Sequence, residues 1–471
     1  MKILLCTTTR EYNPSSIKAI DEIFTVSEPL GIAYLAAVLI QAGYNVEVLD
    51  CLAEGYDSAA FSAFLLKEKY DIIGISTYTP DWYTTKKNLS LIKEIQPDAI
   101  TVIGGPHVNS MVNAGLGEYL LNDSNLFNFA VYGEGEHTFL DLVRAIIEKR
   151  NTDNIDGTLW KSPDGKCHIN SPRKLMKDID TLPFPALEYL PLSKYKRTPS
   201  SYKRTPVRSI LTARGCPYSC IFCDRGAFGP SVRSRSIENV MHEVDRLAKK
   251  FKTKELRIWD DVFTMNEKTT IDFCDEIKRY GLLWSCNGRV NTITVNMLKH
   301  MKSVGCWSVD FGIESGNDNI LKAISKGITV KTASEAIKMV KRAGMEVRAF
   351  FILGFPGETE ETVKDTVDFA LSSGIDYATF YLPQAYPGTR LYEIAKGEDA
   401  LEADYSKYLI TGKVASYVNR NIGLNKLQSF QRQAYASFYK RPSYIAGRIS
   451  KIRTLEDIKR YLSALSILKI N

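Results

Sequence analysis

Short apolar runs alternate with amphipathic stretches along the chain, in two separate series. Within the first 150 residues the runs are Lys2–Cys6, Asn45–Asp50, Asp71–Thr77, Ala99–Gly104 and Asn128–Tyr132. Each has the length of a strand and carries apolar residues at successive positions, the pattern of parallel strands buried on both faces. Helical patterns lie between them. Leu30–Ala42 is one, with Pro29 just before it and Gly43 as its stop signal. Five strands with intervening helices predict a doubly wound, flavodoxin-like α/β domain over residues 1–150. Sheets of that kind bind ligands beyond the carboxyl ends of their strands.

The alternation breaks over residues 151–205. Gly157–Trp160 and Lys166–Asn170 flank Pro163-Asp164-Gly165, which predicts a small hairpin. Leu182-Pro183-Phe184-Pro185 and the stretch from Pro191 to Tyr202 predict an extended linker. A second series then begins. Its candidate strands are Val207–Thr212, Glu255–Trp259, Leu283–Asn287, Trp307–Gly312, Val347–Leu353 and Tyr377–Leu382, each followed by a helical stretch. Six β/α units over 206–395 fit a partial (β/α)6 barrel of the TIM type, with functional residues at the strands' carboxyl ends. Residues 396–471 read as a helical C-terminal tail, most clearly around Leu424–Tyr439.

Composition changes this picture little. The 44% hydrophobic and 24% charged residues are the proportions of a soluble globular protein. The run Met1–Cys6 turns polar at Thr7-Thr8-Thr9-Arg10, unlike a signal peptide, and no stretch approaches the roughly 18 apolar residues of a membrane span. A cytoplasmic location is expected. Charge matters more. Of the net +7, the segment from Leu401 onward holds 13 Lys/Arg against 4 Asp/Glu, so it carries +9 and the remainder −2. This tail, with Tyr435, Phe438, Tyr439 and Tyr444, reads as a solvated helical face. It is also a candidate for lipid, peripheral-membrane or other anionic contact.

Nine cysteines in a long chain of this kind argue against a disulfide framework. Six are scattered, and Cys286 and Cys306 read as buried inert thiols near adjacent barrel strands. The other three are bunched in Arg214-Gly215-Cys216-Pro217-Tyr218-Ser219-Cys220-Ile221-Phe222-Cys223, directly after the first barrel strand. Thiolates are the soft ligands that hold iron–sulfur clusters. A [4Fe–4S] cube needs four ligands, so three cysteines leave one iron open to the amino and carboxylate groups of S-adenosylmethionine. A structural zinc ion would want a fourth Cys or His at short range, and the nearest histidine, His242, is distant in sequence. The chain shows no Ser/His/Asp arrangement and no phosphate-binding Gly-x-x-x-x-Gly-Lys loop.

The cysteine loop resembles that of radical S-adenosylmethionine enzymes, and further segments extend the resemblance. They are Trp259-Asp260-Asp261-Val262-Phe263-Thr264, Trp284-Ser285-Cys286-Asn287-Gly288-Arg289, Phe311-Gly312-Ile313-Glu314-Ser315-Gly316, Phe350–Thr359 and Pro387-Gly388-Thr389, at successive strand ends. The resemblance implies that Cys216, Cys220 and Cys223 hold the cluster and that Phe222 packs near the adenine. It places Asp260 or Asp261 at the methionyl amine, Glu314 at the ribose, and one of Arg289 and Arg348 at the carboxylate. Gly354 and Pro356 would let the backbone approach the adenine.

The front domain is similar to the cobalamin-binding domain joined to a large branch of that family. Matching stretches are Glu28-Pro29-Leu30-Gly31, Gly74-Ile75-Ser76-Thr77, Gly104-Gly105-Pro106-His107 and Tyr132-Gly133-Glu134-Gly135-Glu136. Small residues at strand ends admit a corrin ring. By this resemblance Pro29, Leu30, Leu52, Ser76, Thr77, Gly104, Gly105, Gly133, Glu134 and Gly135 line the cobalamin site. Some cobalamin proteins carry a cobalt-ligating histidine in DxHxxG. Here the segment is Asp50-Cys51-Leu52-Ala53-Glu54-Gly55, with Leu52 in the histidine's place. The implied cofactor is then base-off cobalamin without a histidine ligand; the other reading is a scaffold that has lost it. His107 reads as a hydrogen-bonded loop histidine rather than a ligand.

The resemblance implies an enzyme that methylates an unactivated carbon, or phosphorus, using methylcobalamin and a 5′-deoxyadenosyl radical. Its alternatives are a cyclase or rearrangement enzyme with the same cofactors, and a non-catalytic cobalamin or cluster sensor. A methylthiotransferase acting on tRNA would add a further cysteine set in front and a small β-barrel behind, and neither pattern is present. Expected partners are a small-molecule, lipid or natural-product substrate and an external electron donor, with no stable nucleic-acid partner.

Overall fold

The computed structural model describes residues 1–10, 27–195, 197–409, 414–452 and 457–458. The first sheet contains β1 (Lys2–Thr7), β2 (Asn45–Leu49), β3 (Ile72–Ser76), β4 (Ile100–Gly104), β5 (Phe129–Val131), β6 (Thr158–Lys161) and β7 (Cys167–Ile169). Their order is β2-β1-β3-β4-β5-β6-β7, and the first five run parallel. The helix Leu30–Gln41 follows Pro29, as the sequence pattern predicts. This is the doubly wound order, whose ligand crevice opens where β1 and β3 part.

The hairpin of residues 151–205 is not a separate segment. β6 and β7 add antiparallel to β5, with Phe129 opposite Trp160 and Trp160 stacked on His168 at 4.0 Å. Without them the short β5 would present an open edge.

After the linker come β8 (Val207–Ile210), the antiparallel pair β9 (Ala213–Arg214) and β10 (Arg233–Ser234), then β11 (Glu255–Ile258), β12 (Leu283–Gly288), β13 (Cys306–Glu314), β14 (Glu346–Ile352) and β15 (Tyr377–Tyr381). All but the β9/β10 pair form a six-stranded parallel sheet in sequential order, the expected partial barrel. Cys286 and Cys306 are buried in its core.

The C-terminal helix Leu424–Tyr439 covers the edge that an incomplete barrel leaves open. Its Tyr439 hydroxyl donates to the Ala378 carbonyl (2.7 Å) and accepts from the Ala378 amide (3.1 Å). The Tyr435 hydroxyl accepts from the Phe380 amide, and Gln431 Nε2 donates to the Phe380 carbonyl at 2.9 Å. Side chains thus take the place of a seventh strand along β15.

The tail aromatics expected as a lipid or anionic contact serve the fold in the described part of the tail. Phe438 is buried, and Tyr444 packs against it. Arg448 and Lys451 fold back onto Asp376 at 3.0 and 2.8 Å, so these charges are neutralised within the fold. The rest of the basic tail, 453–456 and 459–471, lies outside the described residues. Among the described residues no helix is long and apolar enough to cross a membrane.

Candidate active site

The carboxyl ends of the two sheets line one cavity of ≈1430 Å³. That exceeds the roughly 300–1,000 Å³ of a pocket for one small ligand, so there is room for more than one. Arg214, on β9, holds the two halves together: its guanidinium lies 3.0 Å from Glu134 and 2.6 Å from Glu136, and Arg233 adds a 2.7 Å contact to Glu134. These side chains are nearly or wholly shielded from solvent, where an ion pair is strong and a lost partner expensive. A second junction forms at Glu28, which pairs with Arg197 at 2.8 Å and accepts from Ser209 at 2.7 Å.

The cysteine loop is an excursion between β9 and β10. Gly215 has φ +94°, and a Cβ there would run into the Ser231 carbonyl, so the turn requires glycine. The Ile221 amide donates to the Ile324 carbonyl and its carbonyl accepts from the Leu391 amide, which ties the loop to the barrel. The Arg289 guanidinium stacks 3.5 Å from the Tyr218 ring centroid. Cys216, Cys220 and Cys223 are free thiols on the cavity wall. Among the described residues no three metal-binding side chains, this trio included, stand at chelating distance. Burial raises the Cys216 thiol and pushes Cys223 up to about 12. The donor set is all sulfur, and no histidine occurs among the described lining residues, which fits an iron–sulfur cluster better than zinc.

Of the residues assigned to adenosylmethionine, Phe222, Asp261, Arg289, Glu314 and Arg348 line the cavity. Phe222 packs on Phe355 with centroids 5.3 Å apart. Glu314, at φ +71°, pairs with Lys326 at 2.9 Å. Asp260 points away, because its carboxylate accepts from the Thr212 amide at 2.6 Å and from the Thr212 hydroxyl. Burial raises it to about 6. Of the two aspartates, only Asp261 faces the ligand space. Gly354 and Pro356 are not on the wall either. The missing Cβ of Gly354 accommodates Leu427 of the C-terminal helix, and Pro356 sits in the turn that Glu358 closes by accepting from the Gly354 and Phe355 amides.

On the opposite wall stand Pro29, Leu30, Leu52, Ser76, Gly104, Gly105, Gly133, Glu134 and Gly135. A Cβ on Gly105 (φ +97°) would come 2.8 Å from Ser76 Oγ and 2.9 Å from the Thr77 carbonyl. Thr77 itself is buried behind this wall, bonded to Thr85 Oγ1 at 2.6 Å, and does not line the cavity. Glu134 reaches the wall, but its carboxylate is held by the two arginines. His107 is buried too, in the helix Pro106–Asn113 rather than a loop, with Nδ1 3.3 Å from Thr79 and burial lowering its pKa to about 3. Small residues around a wide apolar space, with Leu52 facing it, fit a flat corrin held without a histidine.

Sequence reasoning named Arg348 but missed Arg257 and Asp310, which with it make a charged floor in the barrel. Asn287, Asp310 and Arg348 stand at matched registers on β12, β13 and β14. Arg257 lies 3.0 Å and Arg348 3.5 Å from Asp310. The signal was there: charged residues inside otherwise apolar strands must point into a barrel interior that offers partners. Lys326, the partner of Glu314, carried no such signal.

Two family models match, the B12 binding domain over residues 18–143 and the radical SAM superfamily over 210–370. An uncharacterized methyltransferase of Pyrococcus horikoshii is 36% identical over 449 residues, 94% of each chain. An anaerobic magnesium-protoporphyrin IX monomethyl ester cyclase of Rubrivivax gelatinosus is 30% identical over 388 residues, 81% of this chain and 68% of that one. Among solved structures, the radical S-adenosylmethionine methyltransferase TsrM of Kitasatospora setae, with tryptophan substrate and an adenosylmethionine analogue bound, shares the fold. Its TM-score is 0.70 at 19% identity, covering 94% of this chain and 89% of that one.

Proposed function

The chain belongs to the radical S-adenosylmethionine enzymes that carry a cobalamin-binding domain, and we propose that it methylates an unactivated carbon, or phosphorus, of a small molecule. The observation that carries this reading is the single cavity, walled by the cysteine loop on one side and the glycine-lined sheet ends on the other. When bound, the cluster and adenosylmethionine supply a radical that removes hydrogen, and cobalamin supplies the methyl group.

The chain's own residues supply place and shielding. Arg289 on Tyr218 and Ser110 on Asp224 hold the cysteine loop against the barrel and the first domain. Glu314 with Lys326, and Asp261 on the cavity wall, offer hydrogen-bonding groups suited to ribose hydroxyls and an ammonium. The Arg214 and Glu28 junctions keep the domains closed over the reacting space, which limits water. The electron comes from an external donor, and the enzyme works in the cytoplasm.

Cyclisation with the same cofactors is the second reading, favoured by the likeness to the Rubrivivax gelatinosus cyclase. It differs in product rather than in site. Site assignment is tested by loading. Anaerobically reconstituted protein should hold about four irons and one corrin per chain. A Cys216→Ala/Cys220→Ala/Cys223→Ala variant should keep the corrin and lose the iron; retained iron would overturn the assignment.

A further inference from the structure

Five tryptophans occur in the chain. Trp82, Trp284 and Trp307 are buried and Trp160 is covered by His168, whereas Trp259 is 39% exposed although it lies inside the cavity. We propose that Trp259 is the platform on which the methyl acceptor stacks, and that the acceptor presents a planar conjugated ring there. This rests on the methyl-transfer reading, which requires an acceptor between the two cofactors.

The indole is fixed. Its Nε1 donates to Ser209 Oγ at 3.0 Å. That hydroxyl also accepts from Arg197 at 2.7 Å and donates to Glu28 at 2.7 Å, so its one donor and two acceptor positions are all engaged. The Arg257 guanidinium sits 4.7 Å from the ring centroid. Arg257 is held by Asp310 and covers part of the indole, while Trp259 remains 39% exposed on the cavity wall. A rigid aromatic exposed in this way is a low-entropy contact surface.

Position decides what meets it. Through Ser209 the ring is joined to Glu28, next to Pro29 and Leu30 on the corrin wall. Through the chain it is two residues from Asp261, on the adenosylmethionine wall. The exposed indole therefore lies between the two cofactor walls. Chemistry narrows the class further. A guanidinium already on the ring draws on its π density, and Arg257 and Arg348 share one carboxylate, so a second cation is disfavoured. A saturated ring would cover the indole without the stacking preference that flat partners have.

The test uses wild-type protein loaded with cluster, cobalamin and adenosylmethionine, titrated calorimetrically near neutral pH with the uncharged flat probes phenol and 2-naphthol and with their uncharged saturated counterparts, cyclohexanol and decahydro-2-naphthol. At least one flat probe should bind about tenfold tighter than its saturated counterpart, the size of aromatic stacking on a side chain. Trp259→Leu should abolish the preference and Trp259→Phe should keep part of it, with iron and corrin per chain unchanged in both. No preference in the wild type, or a preference that survives Trp259→Leu, overturns the proposal. If the flat-ring preference is present but no methyl transfer is ever found, the platform stands and the methyl-transfer reading fails instead.

Discussion

Ser110 donates a 2.5 Å hydrogen bond to Asp224, joining the first domain to the residue just past the third cysteine. One residue earlier on the same helix, Asn109 accepts from the Gly133 amide at 2.6 Å, on the corrin wall. The helix Pro106–Asn113 therefore touches both halves of the site. Gly226 and Gly388 pack so closely on it that a Cβ at either would collide with Asn113. Ser110→Ala should cost about 1 kcal/mol of unfolding free energy and should speed the loss of iron in air. Iron loss at the wild-type rate would show that the loop is held by its barrel contacts alone.

Arg214 clamps the domains through two buried carboxylates. Arg214→Ala leaves Glu134 and Glu136 short of a buried partner and should destabilise the protein by about 3–5 kcal/mol. Adding Glu136→Gln to that variant should recover part of the loss, because the carboxylate at 2.6 Å is then neutral. Denaturant titration reads both. A single variant within about 0.5 kcal/mol of wild type would mean that the pair does not bind the domains together.

Glu358 gives a pH signature. Its carboxyl is buried, accepts two backbone amides through one oxygen, and is raised to about 7 by desolvation. Between the ordinary glutamate value and about 7 the folded state holds a proton that the unfolded state has lost. Stability should fall as pH rises through that window, by on the order of 3 kcal/mol, and level off above it. Glu358→Gln keeps both amide contacts and should flatten the fall, making the variant more stable than wild type at pH 8. The same slope in both proteins would assign the pH dependence elsewhere.

Leu52 lines the cavity at the place where some cobalamin proteins carry a cobalt-ligating histidine. With an aliphatic side chain at that wall, paramagnetic resonance of the Co(II) form should show no splitting from a protein nitrogen. Leu52→His should introduce it, since a neutral imidazole there would face the cavity. Nitrogen splitting in the wild type would contradict the base-off assignment.

Much of this architecture was legible because it rests on periodicity. Both parallel sheets, the helix after Pro29 and the helix Leu424–Tyr439 lie within a residue or two of their predicted bounds. What escaped depended on contacts between distant segments. Asp260 and Asp261 are indistinguishable in sequence, and only the fold shows that Thr212 engages the first. Gly354 resembled a cofactor contact, yet its small size serves Leu427. Tyr435 and Tyr439 looked like an exposed aromatic tail, and a barrel one strand short turned them inward as hydrogen-bonding partners for β15. Charge counting could not reveal that, since Arg448 and Lys451 find Asp376 only after folding.

The central claim is that one cavity brings radical and methyl chemistry to a common acceptor. It is tested by incubating reconstituted protein anaerobically with adenosylmethionine, cobalamin and a reductant, and measuring 5′-deoxyadenosine and S-adenosylhomocysteine by mass spectrometry. Both should form, with S-adenosylhomocysteine dependent on added cobalamin. Formation of 5′-deoxyadenosine alone, with or without cobalamin, would contradict methyl transfer and leave cyclisation as the chemistry of this site.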